Sequence, residues 1–496
     1  MGGRKRPKPV AIIDIGSNSI RLVVYDGQQR TPLPMFNEKA VCALGEGLGA
    51  SGRLSPVGVE LARRAISRFV RLSRAMNVER LDILATAAVR DASDGKDFVQ
   101  RLEDELDIEI RILSGGQEAK LAAQGVLCGI PSAEGIVADL GGGSCELVVV
   151  GEGRTFKHVT LPLGVLRLSE AAGGSRSKAA DIISSHLAPL PWLSEGRGKA
   201  LYASGGAWRA VARLCIAQSN HPLRILDNYA IDRQEAERMM DLIASQSRKS
   251  IEKVPNVSRK RVAMLPMAAL LLGKILQAAK PSRLVFSVYG MREGQFFKHL
   301  PPKLQEEDPL LAACRTMASS AGRFEEHGRE ILDWMTPLFP DETAAQRRIR
   351  YAACLLGDVF WNEHPDYRAQ QGFLRTLRLP FVGVEHPERA RLAMMIFIRY
   401  NGSEDEQAVC TAVSMLSDED LRRARAVGLA LRLAHGLTGG VPDLVRRTAL
   451  TIEGKAVVLS VPADDPALCC DATDRPFDRL ARAVGCETVE VRRVVG

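Results

Sequence analysis

Short apolar runs alternate with polar, glycine-rich turns through the first 300 residues, and the spacing of the apolar positions switches between two periods. Compact apolar runs predict strands within residues 10–26 and over Leu81–Thr86 and Ile108–Leu113. Apolar residues at helical spacing predict helices over Leu54–Asn77 and Phe98–Leu106. Strands that alternate with helices in this way are typical of an α/β fold, in which helices cover sheets.

The same pattern starts again at Gly135, where two strands are expected through Val150 and another near Phe156–Leu161. The stretch from Pro301 to Pro309 combines prolines with acidic residues and is typical of a linker. After it the spacing becomes helical, and we expect helices over Leu310–Arg323, Glu326–Leu338, Ala344–Val359, Pro387–Arg399 and Asp418–His435.

From Val441 onward the strand-like pattern returns. We expect a hairpin over Arg447–Ile452 and Ala456–Val461, a helix over Asp478–Val484 and a closing strand over Glu487–Val495. The chain should therefore have four domains: a first lobe over 1–130, a second lobe over 131–302, a helical domain over 303–438 and a small α+β domain over 439–496.

Composition excludes several classes of protein. No apolar run reaches the roughly 18–20 residues that span a bilayer, and the basic start MGGRKRPKPV lacks the apolar segment of a signal peptide. The ten cysteines form no CxxC pair, and Cys469 and Cys470 are adjacent. We therefore expect a cytoplasmic protein with reduced thiols and no membrane partner.

The net charge of +8 is unevenly distributed. Residues 1–300 contain 42 basic and 30 acidic residues, whereas residues 301–496 contain 25 and 29. A positive excess favours an anionic partner. Nucleic acid is not expected, because aromatic residues make up only 5% and none alternate with basic residues as a stacking surface requires. A phosphate-rich polymer or a nucleotide fits better.

Two glycine-rich stretches carry the candidate chemistry. Asp14-Ile15-Gly16-Ser17-Asn18-Ser19-Ile20-Arg21 and Asp139-Leu140-Gly141-Gly142-Gly143-Ser144-Cys145-Glu146 each lie between two apolar runs. A strand, an acidic residue, a glycine turn and a second strand form a hairpin whose backbone N–H groups can hold an oxyanion. One such turn is a common hairpin feature. Two copies predict two similar lobes around one phosphorylated ligand.

Acidic and basic residues near these turns suggest roles in phosphate chemistry. Asp139 and Glu146 can meet at a cation, although Glu146 can equally be a solvated strand residue. Glu118 follows a Ser114–Gln117 capping box, so it either compensates a helix dipole or activates a water. The guanidinium groups of Arg21 and Arg90, expected just past strand ends, can bind phosphate or form surface ion pairs.

Seven sequence blocks together resemble the exopolyphosphatase and guanosine pentaphosphate phosphohydrolase family, which belongs to the actin, hexokinase and sugar-kinase superfamily. The blocks occur in the family's order over about the first 300 residues and read AIIDIGSNSIRLVVY, ATAAVRDASDG, ILSGGQEAKL, ADLGGGSCELV, LPLGVLRLSE, YASGGAWRAVAR and VYGMREGQF. The resemblance implies two actin-like (ribonuclease-H-like) lobes with an interlobe cleft. It also implies a helical HD-like domain and a small C-terminal α+β domain.

The resemblance also implies roles for individual residues. The family's general base falls on Glu118, and its metal-side acids fall on Asp139 and Glu146, with Asp14 as a further candidate. Its phosphate-binding positions fall on Gly16, Ser17, Asn18, Arg21, Arg90, Gly141, Gly142, Gly143 and Ser144. One departure is Gln117, which replaces the first of two usual glutamates and removes a charge beside Glu118.

The helical region departs further from HD-type enzymes. Gly357 stands before Asp358 where such enzymes have a histidine, while His327, His364 and His386 are the histidines expected nearby. One or two ligands do not complete a transition-metal site. We therefore expect this region to extend a binding groove and not to hold a second metal.

The resemblance favours an exopolyphosphatase that uses Mg²⁺ or Mn²⁺ and is expected to be a homodimer. The alternatives are a pppGpp phosphohydrolase that forms ppGpp, a catalytically weak nucleotide- or alarmone-binding regulator, and a kinase, although nothing marks a sugar pocket. A long polyanion would also need further cations. The clusters considered for this role, against the alternative of solvated helix faces, are Arg259-Lys260-Arg261, Arg347-Arg348-Arg350 and Arg422-Arg423-Arg425.

Overall fold

The computed structural model describes residues 8–252, 262–321, 323–324, 326–403, 406–464 and 471–494. The chain forms two compact units, Met1–Glu307 and Asp308–Gly496. The boundary between them falls between Pro301 and Pro309. The finer division into four domains stays a prediction.

The first unit contains a five-stranded sheet in which three antiparallel strands precede two parallel ones. Its order is β3-β2-β1-β4-β5, with β1 paired antiparallel to β2 and parallel to β4. The strands are β1 (Val10–Ile15), β2 (Ser19–Tyr25), β3 (Pro34–Val41), β4 (Arg80–Ala85) and β5 (Arg111–Ile112). The buried positions of β1 and β2 pack with a helix over Pro56–Ala75, which presents Ile66 and Phe69 to the same core.

A second, six-stranded sheet of the same unit repeats this arrangement. Its order is β10-β11-β9-β6-β7-β8, so the run β8-β7-β6-β9-β11 has the same directions as β3-β2-β1-β4-β5. The strands are β6 (Gly135–Leu140), β7 (Cys145–Gly151), β8 (Arg154–Leu161), β9 (Ala200–Gly205), β10 (Tyr229–Asp232) and β11 (Arg283–Phe286). The prediction of two similar lobes is therefore confirmed.

Helices cover both sheets of the first unit. In chain order they are α1 (Leu48–Ser51), α2 (Pro56–Ala75), α3 (Ala87–Asp91), α4 (Gly95–Leu106), α5 (Gly115–Gly129), α6 (Val165–Ala172), α7 (Arg176–Leu187), α8 (Gly206–Gln218), α9 (Arg233–Ser245), α10 (Arg248–Glu252), α11 (Leu265–Ala279), α12 (Met291–Lys298) and α13 (Pro302–Gln305), with a 3₁₀ helix over Pro191–Gly196. Among the described residues, no helix combines the length and the apolar character that a membrane span requires.

Helices α5 and α12 approach each other unusually closely. A Cβ added to Gly125 of α5 would lie 2.0 Å from the carbonyl oxygen of Gly290, and one added to Gly294 of α12 would lie 1.8 Å from that of Leu121. Only glycine fits at such contacts. This packing fixes the start of α12 beside α5, the helix that carries Glu118 in its first turn.

The second unit is mainly helical and ends in a small sheet. Its helices are α14 (Pro309–Ala321), α15 (Gly328–Trp334), α16 (Ala344–Leu356), α17 (Arg368–Arg378), α18 (His386–Arg399), α19 (Cys410–Val413), α20 (Asp418–Thr438) and α21 (Asp471–Ala483), with 3₁₀ helices over Thr336–Leu338, Gln407–Val409 and Val445–Arg447. Strands β12 (Ala449–Glu453), β13 (Ala456–Pro462) and β14 (Thr488–Val494) form a sheet in that order. The predicted hairpin, helix and closing strand are confirmed.

Local differences from the predicted elements have simple causes. Strand β3 was not predicted because this edge strand buries no face and so lacks an apolar period. Helix α17 was missed because it buries only a narrow stripe around Phe373. Arg21 lies inside β2, so the expectation that it follows a strand end is wrong. Arg90 lies in α3, which follows the end of β4 as expected.

Four arginines of the two clusters in the second unit are paired with nearby acids. Arg348 pairs with Asp308, and the fully buried Arg350 pairs with Glu342, which also accepts a hydrogen bond from Arg423. Arg347 pairs with Asp333. These residues form ion-pair networks and do not line an open anionic path, whereas Arg259-Lys260-Arg261 lies outside the described residues.

Asp358 is also engaged by the protein itself. Arg323 donates from Nε and Nη2 to the two carboxylate oxygens of Asp358 at 3.0 and 3.1 Å. His435 Nδ1 lies 4.0 Å from Asp358 Oδ1, and the His435 ring contacts that of His327 edge to face. The HD-like character of this unit stays a prediction.

The described cysteines are all free thiols, in agreement with the expectation of reduced cysteines. Seven of these eight residues are buried, and Cys410 is exposed. Cys469 and Cys470 lie outside the described residues.

We predict that Gly125→Ala lowers the free energy of unfolding by about 2–3 kcal/mol, because the added methyl group meets backbone that cannot move away easily. Urea-induced unfolding followed by circular dichroism would measure the change. Gly49→Ala is the matched control, since its added Cβ meets only the Glu170 carboxylate at an ordinary 3.6 Å. Equal unfolding midpoints for the two variants would contradict the close packing of α5 and α12.

Candidate active site

The two glycine-rich turns face each other across a cleft between the two sheets of the first unit. A Cβ added to Gly142 would lie 3.2 Å from Ser17 Cβ, and one added to Gly143 would lie 3.0 Å from Ser17 Oγ. The cleft has a volume of about 460 Å³, and both turns line it. The two stretches that are 125 positions apart in sequence are therefore one site, as the repeated motif predicted.

Backbone hydrogen bonds fix the conformation of both turns. Gly16 N–H donates to Ser19 O, and Gly141 N–H donates to Ser144 O, at 3.2 and 3.0 Å. The carbonyl oxygens of Gly141 and Gly142 accept bonds from the first turn of α6. Within the described ranges, the N–H groups of Gly142 and Gly143 make no hydrogen bond. Such N–H groups, beside a cleft, suit an oxyanion.

The start of α6 supports the second turn because of a single glycine. A Cβ added to Gly164 would lie 2.3 Å from the backbone nitrogen of Ser144. Val165 N–H and Leu166 N–H then reach the carbonyl oxygens of Gly141 and Gly142 at 3.1 and 3.0 Å. The sequence block LPLGVLRLSE thus serves the second turn, which lies about 20 residues earlier.

Three carboxylates line the cleft. Asp14 ends β1, Asp139 ends β6, and Glu118 starts α5. Asp139 Oδ1 accepts a hydrogen bond of 2.6 Å from Ser204 Oγ, and Asp14 Oδ2 lies 4.0 Å from Arg292 Nε. Burial raises the pKa of both aspartates, and nearby arginines partly oppose the shift.

Glu118 combines deep burial with a strong ion pair. Its residue is only 7% exposed, and Arg90 Nη1 donates to Glu118 Oε2 at 2.9 Å. Burial raises the pKa of Glu118 to about 7, Arg90 lowers it, and the negative charges of Asp139 and Asp14 raise it further. A carboxylate with a pKa near neutral pH can accept a proton from water and release it again.

Arg90 connects Glu118 to the opposite lobe. It also donates from Nε to Asp91 Oδ1 at 3.0 Å and from Nη1 to the carbonyl oxygen of Leu113 at 3.3 Å. Asp91 in turn accepts a bond of 2.7 Å from Arg167 of α6. The Nε and Nη1 groups of Arg90 are therefore engaged by the protein, and the residue does not line the cleft. Phosphate binding by Arg90 stays a prediction.

Glu146 lies behind the cleft. It is the register partner of Asp139 across β6 and β7, is 1% exposed and does not line the cavity. Burial raises its pKa well above the usual range, with Glu118 and Asp139 adding to the shift. Its Oε1 and the Oγ of Ser144 have no hydrogen-bond partner within the part of the chain that is described.

The remaining predicted residues line the cleft together with several that were not predicted. Gly16, Ser17, Asn18, Arg21, Gly141, Gly142, Gly143 and Ser144 all belong to the lining. Sequence reasoning missed Lys39, Ser204, Arg209, Arg213 and Arg292. Three of them lie in the blocks YASGGAWRAVAR and VYGMREGQF as the only arginines there, which is the signal that could have found them.

The acids fit a metal that keeps most of its own waters. Among the described residues, no three His, Cys, Asp or Glu side chains converge as a closed metal site. Mg²⁺ typically binds one or two carboxylates and completes its shell with water and substrate phosphate. Asp14 and Asp139, on opposite sides of the turns and both open to the cleft, fit such a donor set.

Two family models match the chain. The Ppx/GppA phosphatase family matches residues 23–303, and the C-terminal domain of exopolyphosphatase matches residues 310–490. The first match covers more than half of the chain. It includes Glu118, Asp139 and the second turn.

Curated relatives and solved structures agree with these models. Exopolyphosphatase 2 of Mycobacterium tuberculosis is 33% identical over 172 residues, which are 32% of this chain and 54% of that protein. Retrograde regulation protein 2 of Saccharomyces cerevisiae is 26% identical over 432 residues, which are 80% of this chain and 73% of that protein. The chain thus spans about half the length of the first of these relatives.

The solved structure of an exopolyphosphatase from Cytophaga hutchinsonii is similar over 59% of this chain and 98% of its own, with 21% identity and a TM-score of 0.54. This likeness concerns the fold, and it confirms the predicted α/β architecture with two actin-like lobes. With the matching family model, the paired turns and the order of the sequence blocks all in agreement, the chain belongs to the Ppx/GppA phosphatase family.

Proposed function

We propose that the protein is an exopolyphosphatase, which releases terminal orthophosphate from inorganic polyphosphate by attack of water. The observation that carries the proposal is Glu118, a buried carboxylate with a pKa raised to about 7, in a cleft built from two facing phosphate-type turns. The names of the mycobacterial and Cytophaga relatives support the same reaction.

Substrate binding would use the backbone of the turns and the cations around them. Five basic residues line the cleft against three acidic ones: Lys39, Arg21, Arg209, Arg213 and Arg292. The open N–H groups of Gly142 and Gly143 point to a binding position for the oxygens of the terminal phosphate. Arg292, buried beside Asp14, would neutralise part of the charge of that phosphate.

In the chemical step, a water oxygen forms a bond to the terminal phosphorus and the bridging P–O bond breaks. Glu118 accepts the proton from the water, and the shortened chain leaves with the electron pair of the broken bond. Arg90 keeps the Glu118 carboxylate oriented through the 2.9 Å bond to Oε2. Orthophosphate then leaves and Glu118 returns its proton to solvent.

We propose Mg²⁺, or Mn²⁺, as the metal, with Asp14 and Asp139 as its protein ligands. A bound divalent cation would neutralise charge on the phosphate oxygens. Ser204 keeps the Asp139 carboxylate in place by donating to Oδ1. Glu146 is the register partner of Asp139 and does not reach the cleft, so its role beside the metal stays a prediction.

Hydrolysis of pppGpp to ppGpp would use the same residues, and no feature of the cleft favours it over polyphosphate. The presence of three carboxylates in the cleft argues against a catalytically weak regulator. A cytoplasmic location is supported by the free cysteines among the described residues. The homodimer stays a prediction.

We predict that Glu118→Gln lowers kcat for phosphate release by about 10²–10⁴-fold with little change in KM, because the amide cannot accept the proton. Steady-state phosphate release from polyphosphate would measure both parameters. The exposed Glu109→Gln is the control for a glutamate-to-glutamine change in the same region and should behave like wild type. Near-normal turnover by Glu118→Gln would disprove its role as the base.

The pH profile provides a second test of Glu118. Because the base acts as the carboxylate, kcat should fall as pH drops through about 7, the pKa that burial gives to Glu118. Arg90 lowers this pKa, so Arg90→Met should move the acid limb to higher pH. Rate measurements between pH 5 and 9 on both proteins would show the shift. An acid limb that does not move would contradict control of Glu118 by Arg90.

A third prediction concerns the metal. Asp139→Asn should raise the Mg²⁺ concentration needed for half-maximal activity by about tenfold or more, because the protein loses one of two carboxylate ligands. Titration of Mg²⁺ into EDTA-treated protein would measure this requirement. Asp358→Asn should leave the requirement unchanged, since that carboxylate is paired with Arg323 in the second unit. Full activity in excess EDTA would exclude a metal-assisted reaction.

A further inference from the structure

A second open cavity lies beside the cleft, along the C-terminal half of α8. It has a volume of about 640 Å³, and Arg213 lines both this cavity and the cleft. Its lining consists of Arg213, Ile216, Ala217, Asn220, His221, Pro222 and Arg224. Apart from Arg213, the reaction proposed above uses none of these residues.

Helix geometry turns these residues into a continuous path. Arg209 and Arg213 are four positions apart on α8, so they lie on one face and about 6 Å apart along the axis. Asn220 follows the helix end and Arg224 lies four residues later. The first residue of α8, Gly206, lines the cleft floor. The path therefore starts beside the phosphate turns and leads outward.

Two arginines of this path, Arg213 and Arg224, are not paired with any described acid. Within the described ranges, neither Arg213 nor Arg224 forms an ion pair, both side chains are exposed, and no carboxylate lines the second cavity. Arg348 and Arg350 of the second unit, in contrast, are each paired with an acid. Two guanidinium groups without acidic neighbours attract a polyanion and offer it bidentate hydrogen bonds.

We propose that this path, named the α8 strip and defined by Arg209, Arg213, Asn220 and Arg224, binds the distal phosphates of a polyphosphate chain whose terminal phosphate lies at the turns. The inference rests on the proposed function and adds a substrate-length preference to it. A chain too short to leave the cleft contacts Arg209 and Arg213 at most. A longer chain gains Asn220 and Arg224.

The chemistry of the α8 strip favours a phosphate chain over a nucleobase. A base bound at this place would need an aromatic surface for stacking. The single aromatic-type ring in the cavity lining is His221, and it already packs against Tyr229 with ring centroids 4.9 Å apart. Guanidinium and amide donors instead suit the repeated oxygens of polyphosphate.

The experiment compares binding and turnover across chain length. Charge-reversal variants Arg213→Glu, Arg224→Glu and their combination would be tested with tripolyphosphate and with long-chain polyphosphate at two salt concentrations. Arg154→Glu is the matched control, because this exposed arginine of β8 lines neither cavity. Binding would be measured by calorimetry in the Glu118→Gln background, so that the substrate is not consumed. Turnover would be measured without that change.

We expect Arg224→Glu to lose about tenfold in affinity and kcat/KM for long chains at low salt, and about twofold or less for tripolyphosphate. Arg213→Glu and the double variant should weaken both substrates, because Arg213 also lines the cleft. The loss should shrink at high salt, because exposed charges are screened. Arg213→Lys with Arg224→Lys should retain most of the affinity, and Arg154→Glu should match wild type. This pattern in binding supports the α8 strip whether or not the chain is hydrolysed.

Two other results would overturn the inference. Equal losses for short and long chains in Arg224→Glu would place its effect at the cleft, and no loss beyond that of Arg154→Glu would remove the α8 strip from substrate binding. Failure of the proposed function has a different signature. In that case the wild-type protein would release no phosphate from either substrate, while the binding measurements would still decide on the α8 strip.

Discussion

The ion pair between Arg90 and Glu118 is the interaction on which the rest of the site depends. Four carboxylates, Asp14, Glu118, Asp139 and Glu146, lie buried or half-buried around two glycine turns, and burial raises the pKa of each. Without nearby cations, carboxylates in such a cluster would be protonated at neutral pH and could neither accept a proton from water nor bind a metal. Arg90 keeps the pKa of one of them, Glu118, close to 7.

The same constraint explains the packing around the site. The arginines have to lie close to the carboxylates. The helices and strands that carry these two sets of residues therefore have to pack closely as well. Gly125 and Gly294 let α5 and α12 meet, which brings Arg292 to Asp14, and Gly164 lets α6 support the second turn. The glycines of this fold therefore serve electrostatics as much as backbone freedom.

Short contiguous motifs were predictable from the sequence. Contacts between side chains that are far apart in the sequence were not. Both turns and Glu118 could be recognised because each is a short local pattern next to an apolar strand. Arg292 stands out in its own block, but its position beside Asp14 could not be predicted, because the contact of α12 with α5 joins residues more than 160 positions apart. The arginine clusters of the second unit were equally ambiguous. The acid that pairs with Arg348 is Asp308, 40 positions away, and no local pattern reveals it.

The bond between Arg167 and Asp91 joins α6, which supports the second turn, to α3 of the opposite lobe. Asp91 also accepts a hydrogen bond from Arg90, the residue that binds Glu118. One carboxylate therefore takes part both in the contact between the lobes and in the orientation of Arg90. Separation of the lobes would break the bond between Arg167 and Asp91, and the position of Arg90 beside Glu118 would then be less firmly fixed. Because Arg90 lowers the pKa of Glu118, a loosened contact in an open cleft would raise that pKa and favour the protonated acid. Closure of the cleft would favour the carboxylate, which is the form that can accept a proton from water.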